Sequence, residues 1–236
     1  NVYDVFGSGG YLQRSKLAKD MADLLDAYRD EGYLRAYISR IVLIGENEGR
    51  DLHIVLHVEE GPQTTVTGLE IENNTVLSDE DLREHLQLRP QGDVPPPFGP
   101  ERLREDQSAI LAQYYPLGYA DVSPNTQCYV PSDTHPKSCV APSLPPECNL
   151  SFDDSRTRSC DRARIEDTLV EECRLVRTSP SCRFQGGIEA EEVTVEHSLE
   201  EGDRSEFGDL FVLGNFRTRQ SVIARELPFE SGDPFD

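Results

Sequence analysis

The sequence predicts an α+β protein built as a tandem array of β-α-α-β-β modules, the middle copy carrying a Cys-rich insertion. Three observations predict it. The first is internal repetition. Leu17, Asp20, Leu25, Tyr28, Gly32 and Tyr33 recur as Leu103, Asp106, Leu111, Tyr114, Gly118 and Tyr119, each displaced by 86 residues. Glu59-Glu60-Gly61, Leu69, Ile71 and Asn74 recur as Glu200-Glu201-Gly202, Leu210, Val212 and Asn215, displaced by 141. Such self-similarity is the sequence signature of an array, in which small units stack to bury a shared core. The second observation is that helical and strand periodicities follow one another in a fixed order. The third is that the two displacements differ by 55 residues, about the length of a Pro- and Ser-rich stretch that has no periodicity and holds all six cysteines. That stretch reads as an insertion in a strand connection, where extra chain is tolerated best.

Each element has its own signal. Over 13–31, Leu17, Met21, Leu24, Leu25 and Tyr28 form one helical stripe, and Gly32 suits a left-handed C-terminal cap. Runs at 34–44 and 51–59 flank the Gly- and Asn-containing segment 45–49, which makes them a hairpin. In the second run Leu52, Ile54, Leu56 and Val58 alternate with Asp51, His53, Val55 and His57. Glu60-Gly61-Pro62 breaks that strand, and another follows at 64–72 with Val66, Leu69 and Ile71. After the Asn73-Asn74 turn, Ser78 reads as the N-cap of a short helix. Asp79, Glu80 and Asp81 in its first turn complement the helix dipole, and Leu82 and Leu86 form its apolar face.

Pro90 and Pro95-Pro96-Pro97 form a rigid connection to a helix over 101–117 with Leu103, Ile110, Leu111 and Tyr114, ended by Gly118-Tyr119. A strand is expected at 119–130, and a short helix at 163–176 through Ile165, Leu169 and Cys173. Alternation at Val193, Val195 and His197 marks a closing strand. A further copy then opens with a strand at 207–213, a Gly214-Asn215 turn, a helix at 218–227 and Gly232-Asp233-Pro234-Phe235. The expected domains are a partial module at 1–62 (second helix and β-hairpin), a complete module at 63–203 with the Cys-rich insertion at about 128–187, and a partial module at 204–236 (first strand and first helix).

Composition narrows the function classes. The chain has 236 residues, a formal net charge of −21 and 36% hydrophobic residues. The charge opposes binding to nucleic acid, which needs clustered Lys and Arg, and docking on an anionic membrane surface. No apolar run approaches a membrane span and no leader pattern stands at Asn1. Without an initiator Met, the sequence reads as a piece of a longer protein whose membrane anchor would lie elsewhere.

Cys128, Cys139, Cys148, Cys160, Cys173 and Cys182 contain no C-x-x-C spacing, which argues against a zinc or thioredoxin-like site and for disulfides in an oxidising compartment. Sequence does not choose among their pairings; Cys128 to Cys182, closing the whole stretch, is one attractive option. His53 and His57 share a strand face but stand roughly 13 Å apart, too far to share a metal ion. Gly7-Ser8-Gly9-Gly10 reads as a flexible linker, not a phosphate loop. The Tyr28/Tyr114 and Tyr33/Tyr119 pairs read as module core. Nothing orders Ser, His and Asp into a triad, so no catalytic residue, metal or cofactor is expected.

Four signatures together resemble the POTRA (polypeptide-transport-associated) domains of outer-membrane β-barrel assembly factors, the BamA/TamA group. They are the opening strand, turn and helix (Val66–Leu86 and Phe207–Leu227), and the connecting element (Gly92 to Phe98 and Gly232-Asp233-Pro234-Phe235). The helices ending in Gly32-Tyr33 and Gly118-Tyr119 are the third. The closing strands running into Glu59-Glu60-Gly61-Pro62 and Glu200-Glu201-Gly202 are the fourth. The resemblance covers about 1–127 and 188–236 and says nothing of the insertion.

It implies a three-stranded mixed sheet packed on two helices in each module, and a periplasmic scaffold at the outer membrane. It also implies partners: unfolded outer-membrane proteins, periplasmic chaperones and accessory lipoproteins, with membrane contact only through a barrel outside this chain. Clients would bind by adding a strand to the exposed edge of each module's second strand. By position these edges are Leu34, Ala36, Tyr37, Ile38, Ser39, Arg40 and Ile41 in the first copy, and Tyr119, Ala120, Asp121, Val122 and Ser123 in the middle copy. Two alternatives stay open. One is the substrate-recognition region of a related secretion or translocation pore. The other makes the Cys-rich insertion an extracytoplasmic protein-binding module, contacting a lipoprotein, peptidoglycan or a neighbouring copy.

Overall fold

A computed structural model describes residues 14–46, 51–92, 94–145, 148, 158–165, 168–175, 183–214, 217 and 219–235. The element order is α1 (Arg14–Asp30), β1 (Tyr37–Glu46), β2 (Asp51–Glu59), β3 (Thr65–Glu72), α2 (Asp79–Glu84), α3 (Pro100–Tyr114), β4 (Ser123–Tyr129), β5 (Arg158–Ile165), β6 (Thr168–Leu175), β7 (Glu192–Glu200) and α4 (Gln220–Ala224). A 3-10 turn, Tyr115–Leu117, tightens the end of α3. The Gly7–Gly10 linker, Cys182 and the turn residue Asn215 lie outside the described residues.

The middle copy has the expected plan. Its sheet runs β3-β7-β4, with β3 parallel and β4 antiparallel to the central β7. Period-2 burial on β7, where Val193, Val195, His197 and Leu199 turn inward, faces the apolar stripes of α2 and α3. Leu82, Leu86, Leu103, Ile110 and Tyr114 meet Val66, Leu69, Ile71 and Phe98 in one buried cluster. Ser78 caps α2 as expected: its Oγ accepts from the Asp81 N–H at 3.2 Å. Phe98 seals the other end. Its N–H donates to the Thr64 carbonyl (2.9 Å), while the Val66 N–H donates to the Pro96 carbonyl (2.8 Å).

The first copy keeps a second, smaller core, in which Leu17 and Met21 of α1 pack on Ile38, Ile41 and Leu43 of β1, with Leu25, Ile54, Leu56 and Val58 alongside. Its sheet has four strands, ordered β2-β1-β6-β5. The outer pair comes from the Cys-rich insertion. The short helix expected at 163–176 is therefore replaced by a β-hairpin. Ile165, Leu169 and Cys173 fit a helical spacing, but short apolar segments fit strands as well, and β1 offers a row of backbone donors and acceptors. β6 takes them antiparallel, from Arg40↔Arg174 to Gly45↔Leu169.

Two other expectations are corrected. Cys128 bonds to Cys139, not to Cys182; the Cys128 and Lys137 backbones bridge each other, which brings the two thiols together across a tight turn. Cys148 and Cys173 are disulfide-bonded as well. Residues 207–213 form no strand. Among the described residues no closing strand stands beside them as β7 stands beside β3, and only Glu206 bridges Pro234. Phe207 instead stacks on Phe229, with ring centroids 4.0 Å apart, and tilts against Phe235 at 5.0 Å.

Candidate strand-accepting edges and the junctions that hold them

The repeat displacement of 86 is exact in three dimensions. Tyr37 opens β1 and Ser123 opens β4, so the second strand of both copies starts at the same repeat position. The segments just before them are turns, not strand. Leu34 and Ala36 are buried ahead of β1, and Tyr119–Val122 precede β4. Of the residues expected on the edges, Tyr37, Ile38, Ser39, Arg40, Ile41 and Ser123 lie on strands; the others precede them.

The junctions between copies repeat atom for atom. Gly32 and Gly118 end their helices at φ 88° and 91°. Gly32 then accepts from the Thr64 N–H (2.8 Å), and Gly118 accepts from the Ser205 N–H (2.8 Å). A Cβ at Gly32 would sit 2.6 Å from the Thr64 oxygen and at Gly118 2.5 Å from the Ser205 oxygen. Glycine is required twice over, by φ and by the approach of the next copy's backbone. Next to each glycine an edge-to-face tyrosine pair closes the joint: Tyr28–Tyr33 at 6.2 Å and Tyr114–Tyr119 at 6.0 Å. The first joint has an extra tie. Gly99 gives α3 no side-chain cap, and Asp30 of the preceding copy supplies one, its Oδ1 accepting from the Glu101 N–H at 2.9 Å. Arg102 reaches back to the Asp30 carbonyl (2.6 Å) and the Glu31 carboxylate (3.0 Å).

Sequence reasoning read Asp106 and Glu201 only as repeat markers. The structure makes both of them polar staples. Asp106 is fully buried and accepts from the Gln87 N–H (2.6 Å) and the Leu88 N–H (3.0 Å), tying α3 to the loop after α2. Burial pushes its carboxyl above the usual range, and the two amides offset this only in part. Glu201 gathers the Thr75 N–H (2.8 Å), the Val76 N–H (2.9 Å), the Thr75 hydroxyl and the Tyr114 hydroxyl (2.7 Å). Burial acts to raise its carboxyl, and these donors outweigh that and hold it below the usual range. A buried acid flanked by backbone amides was detectable in sequence only as a repeated Asp on an otherwise apolar helix face.

His197 is a further buried ionisable group. Its Nδ1 lies 2.8 Å from the Thr126 Oγ1, which also accepts from the Gln107 Nε2 (2.9 Å), and its Nε2 is buried without a partner. Desolvation pushes the imidazole down to about 4.

The two second-strand edges are not equally open. On β4 the Cys128 N–H and C=O face outward and are taken by Lys137, at 3.0 and 2.8 Å. Backbone direction alternates along a strand, so Thr126 and Pro124 face outward too, and Pro124 has no N–H to give. The β4 edge is therefore blunted over most of its length. On β1 the outer edge is paired with β6 from Arg40 to Gly45, reinforced by an Arg40–Glu172 ion pair at 3.2 Å, while Tyr37 packs edge-on against Phe184 at 6.3 Å. Arg40 also bridges to His57 Nε2 at 2.7 Å, so His57 of β2 serves the sheet surface.

Comparison with known proteins places the chain. Residues 64–136 match the POTRA family, described as "Surface antigen variable number repeat". The chain is 22% identical to the outer membrane protein assembly factor BamA of Nitratidesulfovibrio vulgaris, over 97% of its own length and 33% of that relative. It thus spans about a third of the curated relative it matches. Among solved structures it is similar to the POTRA3-5 crystal structure of Haemophilus influenzae BamA (15% identity, TM-score 0.42, 98% of this chain and 67% of that one). It is also similar to Haemophilus ducreyi BamA lacking POTRA domains 1-3 (13% identity, TM-score 0.38, 84% of this chain and 25% of that one). The middle of the chain is thus similar to a POTRA domain, and nearly the whole chain is similar to part of a BamA assembly factor.

Proposed function

We infer that this chain is the periplasmic scaffold region of an outer-membrane protein assembly factor, holding nascent barrel proteins by β-strand addition. The observation that carries the reading is the alignment with a BamA along 97% of the chain, with the POTRA match at 64–136 falling within it. The repeat junctions give the scaffold physical sense. Two copies of one glycine-gated joint fix successive modules by backbone hydrogen bonds, so binding edges stand at set intervals along a semi-rigid arm. On this reading the copies are 1–62, 63–203 and 204–236. Unfolded outer-membrane proteins, periplasmic chaperones and accessory lipoproteins are the partners, and no step of chemistry is performed.

Strand addition suits such clients. An unfolded barrel strand carries unpaired backbone groups and alternates apolar with polar side chains, so an edge strand satisfies the backbone whatever the sequence. The second-strand edges, Tyr37–Ile41 on β1 and Ser123 onward on β4, are the candidate acceptors. Among the described residues no helix is long and apolar enough to cross a membrane, and contact with the bilayer is assigned to a barrel elsewhere in the protein. Amide hydrogen exchange with and without a peptide from an unfolded outer-membrane β-strand tests the reading. New protection along β1 or β4 supports it; a peptide that binds without protecting any strand, or does not bind, refutes it.

A further inference from the structure

We propose that β1 is a client-accepting edge occupied in cis: the β5–β6 hairpin of the insertion holds the place of an incoming strand and competes with it. This rests on the strand-addition reading above and adds an occupant that the insertion alone supplies.

Four observations carry it. β6 pairs antiparallel with β1 across Arg40–Gly45, on the edge an added strand would use. The edge it covers is apolar and β-rich, Arg-Ile-Val-Leu-Ile over 40–44, which is the kind of edge that templates pairing when bare. The outer strand of the hairpin ends the sheet differently. β5 reads Arg-Ser-Cys-Asp-Arg-Ala-Arg-Ile over 158–165, and an edge rich in charge resists further pairing. The hairpin therefore closes the sheet and does not pass the accepting edge outward.

The fourth observation is that β6 is an imperfect partner. Ile41 is 1% exposed and faces Cys173, itself buried, which is a good match. Leu43, 5% exposed, faces the charged Glu171. A barrel strand alternating apolar with polar residues would put an apolar side chain opposite both Ile41 and Leu43, and cross-strand apolar pairs stabilise a sheet where an apolar–charged pair does not. The hairpin wins by being tethered, since its effective concentration at the edge is set by the chain and not by diffusion. A client strand wins by fit. Such an arrangement keeps an aggregation-prone edge covered until a suitable strand arrives.

The test uses variants that move occupancy in opposite directions. Val170→Pro removes a backbone N–H and fixes φ within β6, which disrupts the hairpin without substituting a residue of either core cluster. Glu171→Val places an apolar residue opposite Leu43 and tightens it. The probe is a peptide of about ten residues alternating Val, Phe and Ile with Thr and Gln, the pattern and length of a barrel strand. Readouts are amide exchange at 40–45 and the peptide Kd for the full chain.

Expected are fast exchange at 40–45 in free Val170→Pro, restored protection on adding peptide, and a Kd about tenfold below that of the unsubstituted chain. For Glu171→Val, slower exchange and a Kd raised about tenfold are expected. Equal Kd values for all three chains overturn the proposal, as does unchanged protection of 40–45 in free Val170→Pro. Peptide protection confined to β4 in every chain overturns the proposal while leaving strand addition in place. No protection of any strand in any chain removes the strand-addition reading, and the proposal falls with it.

Discussion

Lowering the pH should destabilise the middle copy through His197. The ring is fully buried on the inward face of β7, with Thr126 as its one polar contact and Nε2 unpartnered. Its folded pKa is about 4, against an ordinary value of 6.5. Because the folded value is the lower one, the unfolded chain binds the proton preferentially between the two. The stabilisation is then present in full above the unfolded value and is lost as the pH falls toward the folded value. Each pKa unit corresponds to about 1.4 kcal/mol, so the loss is about 2 kcal/mol by pH 5 and about 3 kcal/mol by pH 4.

Other groups titrate over the same range. Asp106 and Glu196 are raised by burial, Glu196 further by Glu72 and Glu70, while Glu201 is lowered overall. These remain in His197→Leu and cancel in the difference between the two proteins. Leucine is close in size, and Thr126 keeps its bond from Gln107. Urea unfolding of both chains, followed by far-ultraviolet circular dichroism from about pH 7 to about pH 4, gives that difference. It should fall by about 3 kcal/mol across the range. A flat difference, within about 0.5 kcal/mol, would refute the reasoning: the charged imidazole would then have found a partner or water in the folded state.

Gly32→Ala and Gly118→Ala should each cost about 2 kcal/mol or more in thermal unfolding. Each combines left-handed strain of about 1–2 kcal/mol with a Cβ pressed on the next copy's carbonyl. Near-zero costs would mean that the joints are loose. Asp106→Ala should cost about 2–3 kcal/mol, because it strands two amides, one of them buried; Asp106→Asn should recover part of that, and identical losses would show that only packing matters. Tyr114→Phe removes one donor to Glu201 and should cost about 1 kcal/mol by urea unfolding. Replacing both Cys128 and Cys139 with Ala opens a loop whose ends are 11 residues apart and should cost about 3 kcal/mol by the same assay; stability unchanged by the double substitution would show that the loop is already ordered without its bond.

How much of this was legible in the sequence depended on whether a partner was local. α1, α3 and β3 were readable because the residues of each apolar stripe lie within a few residues of one another, and the repeat checked each copy against the other. Ser78 capping α2 was readable for the same reason. The expected strand at 207–213 has the right alternation, but a strand exists only where another backbone pairs with it, and that information is not local. The segment 163–176 failed in the opposite direction. Its helical spacing was real, and what decided the outcome was β1, more than a hundred residues upstream in the sequence. The edges implied by the resemblance were placed at the right repeat position, yet each set began a few residues early. Leu34 and Tyr119 look like strand residues and work as joint residues, because the glycine before each turns the chain into the neighbouring copy. Asp106 and Glu201 were visible as repeats, but their role as acceptors for buried amides needed the loops of α2 and β3 to be in place.

The position of the insertion explains why it reaches β1. It interrupts the connection from β4 to β7, and the chain re-enters the middle copy through Phe184, which already packs against Tyr37 at the start of β1. The Gly32–Thr64 joint has brought that strand alongside the middle copy. From Phe184 outward the hairpin needs only to follow β1 along its edge. Disulfides limit the chain's freedom before it does so: Cys128–Cys139 pins the exit from β4, and Cys148 and Cys173 are bonded too. Both effects reduce the loop-closure entropy that a strand pairing across more than a hundred residues would otherwise face. The joint and the insertion are thus coupled. Loosening the joint with Gly32→Ala should weaken the β1–β6 pairing as well, read as faster amide exchange at 40–45 in a chain whose hairpin is unaltered. Unchanged exchange there would show that the hairpin holds its place by its own pairing, and that the joint contributes nothing to it.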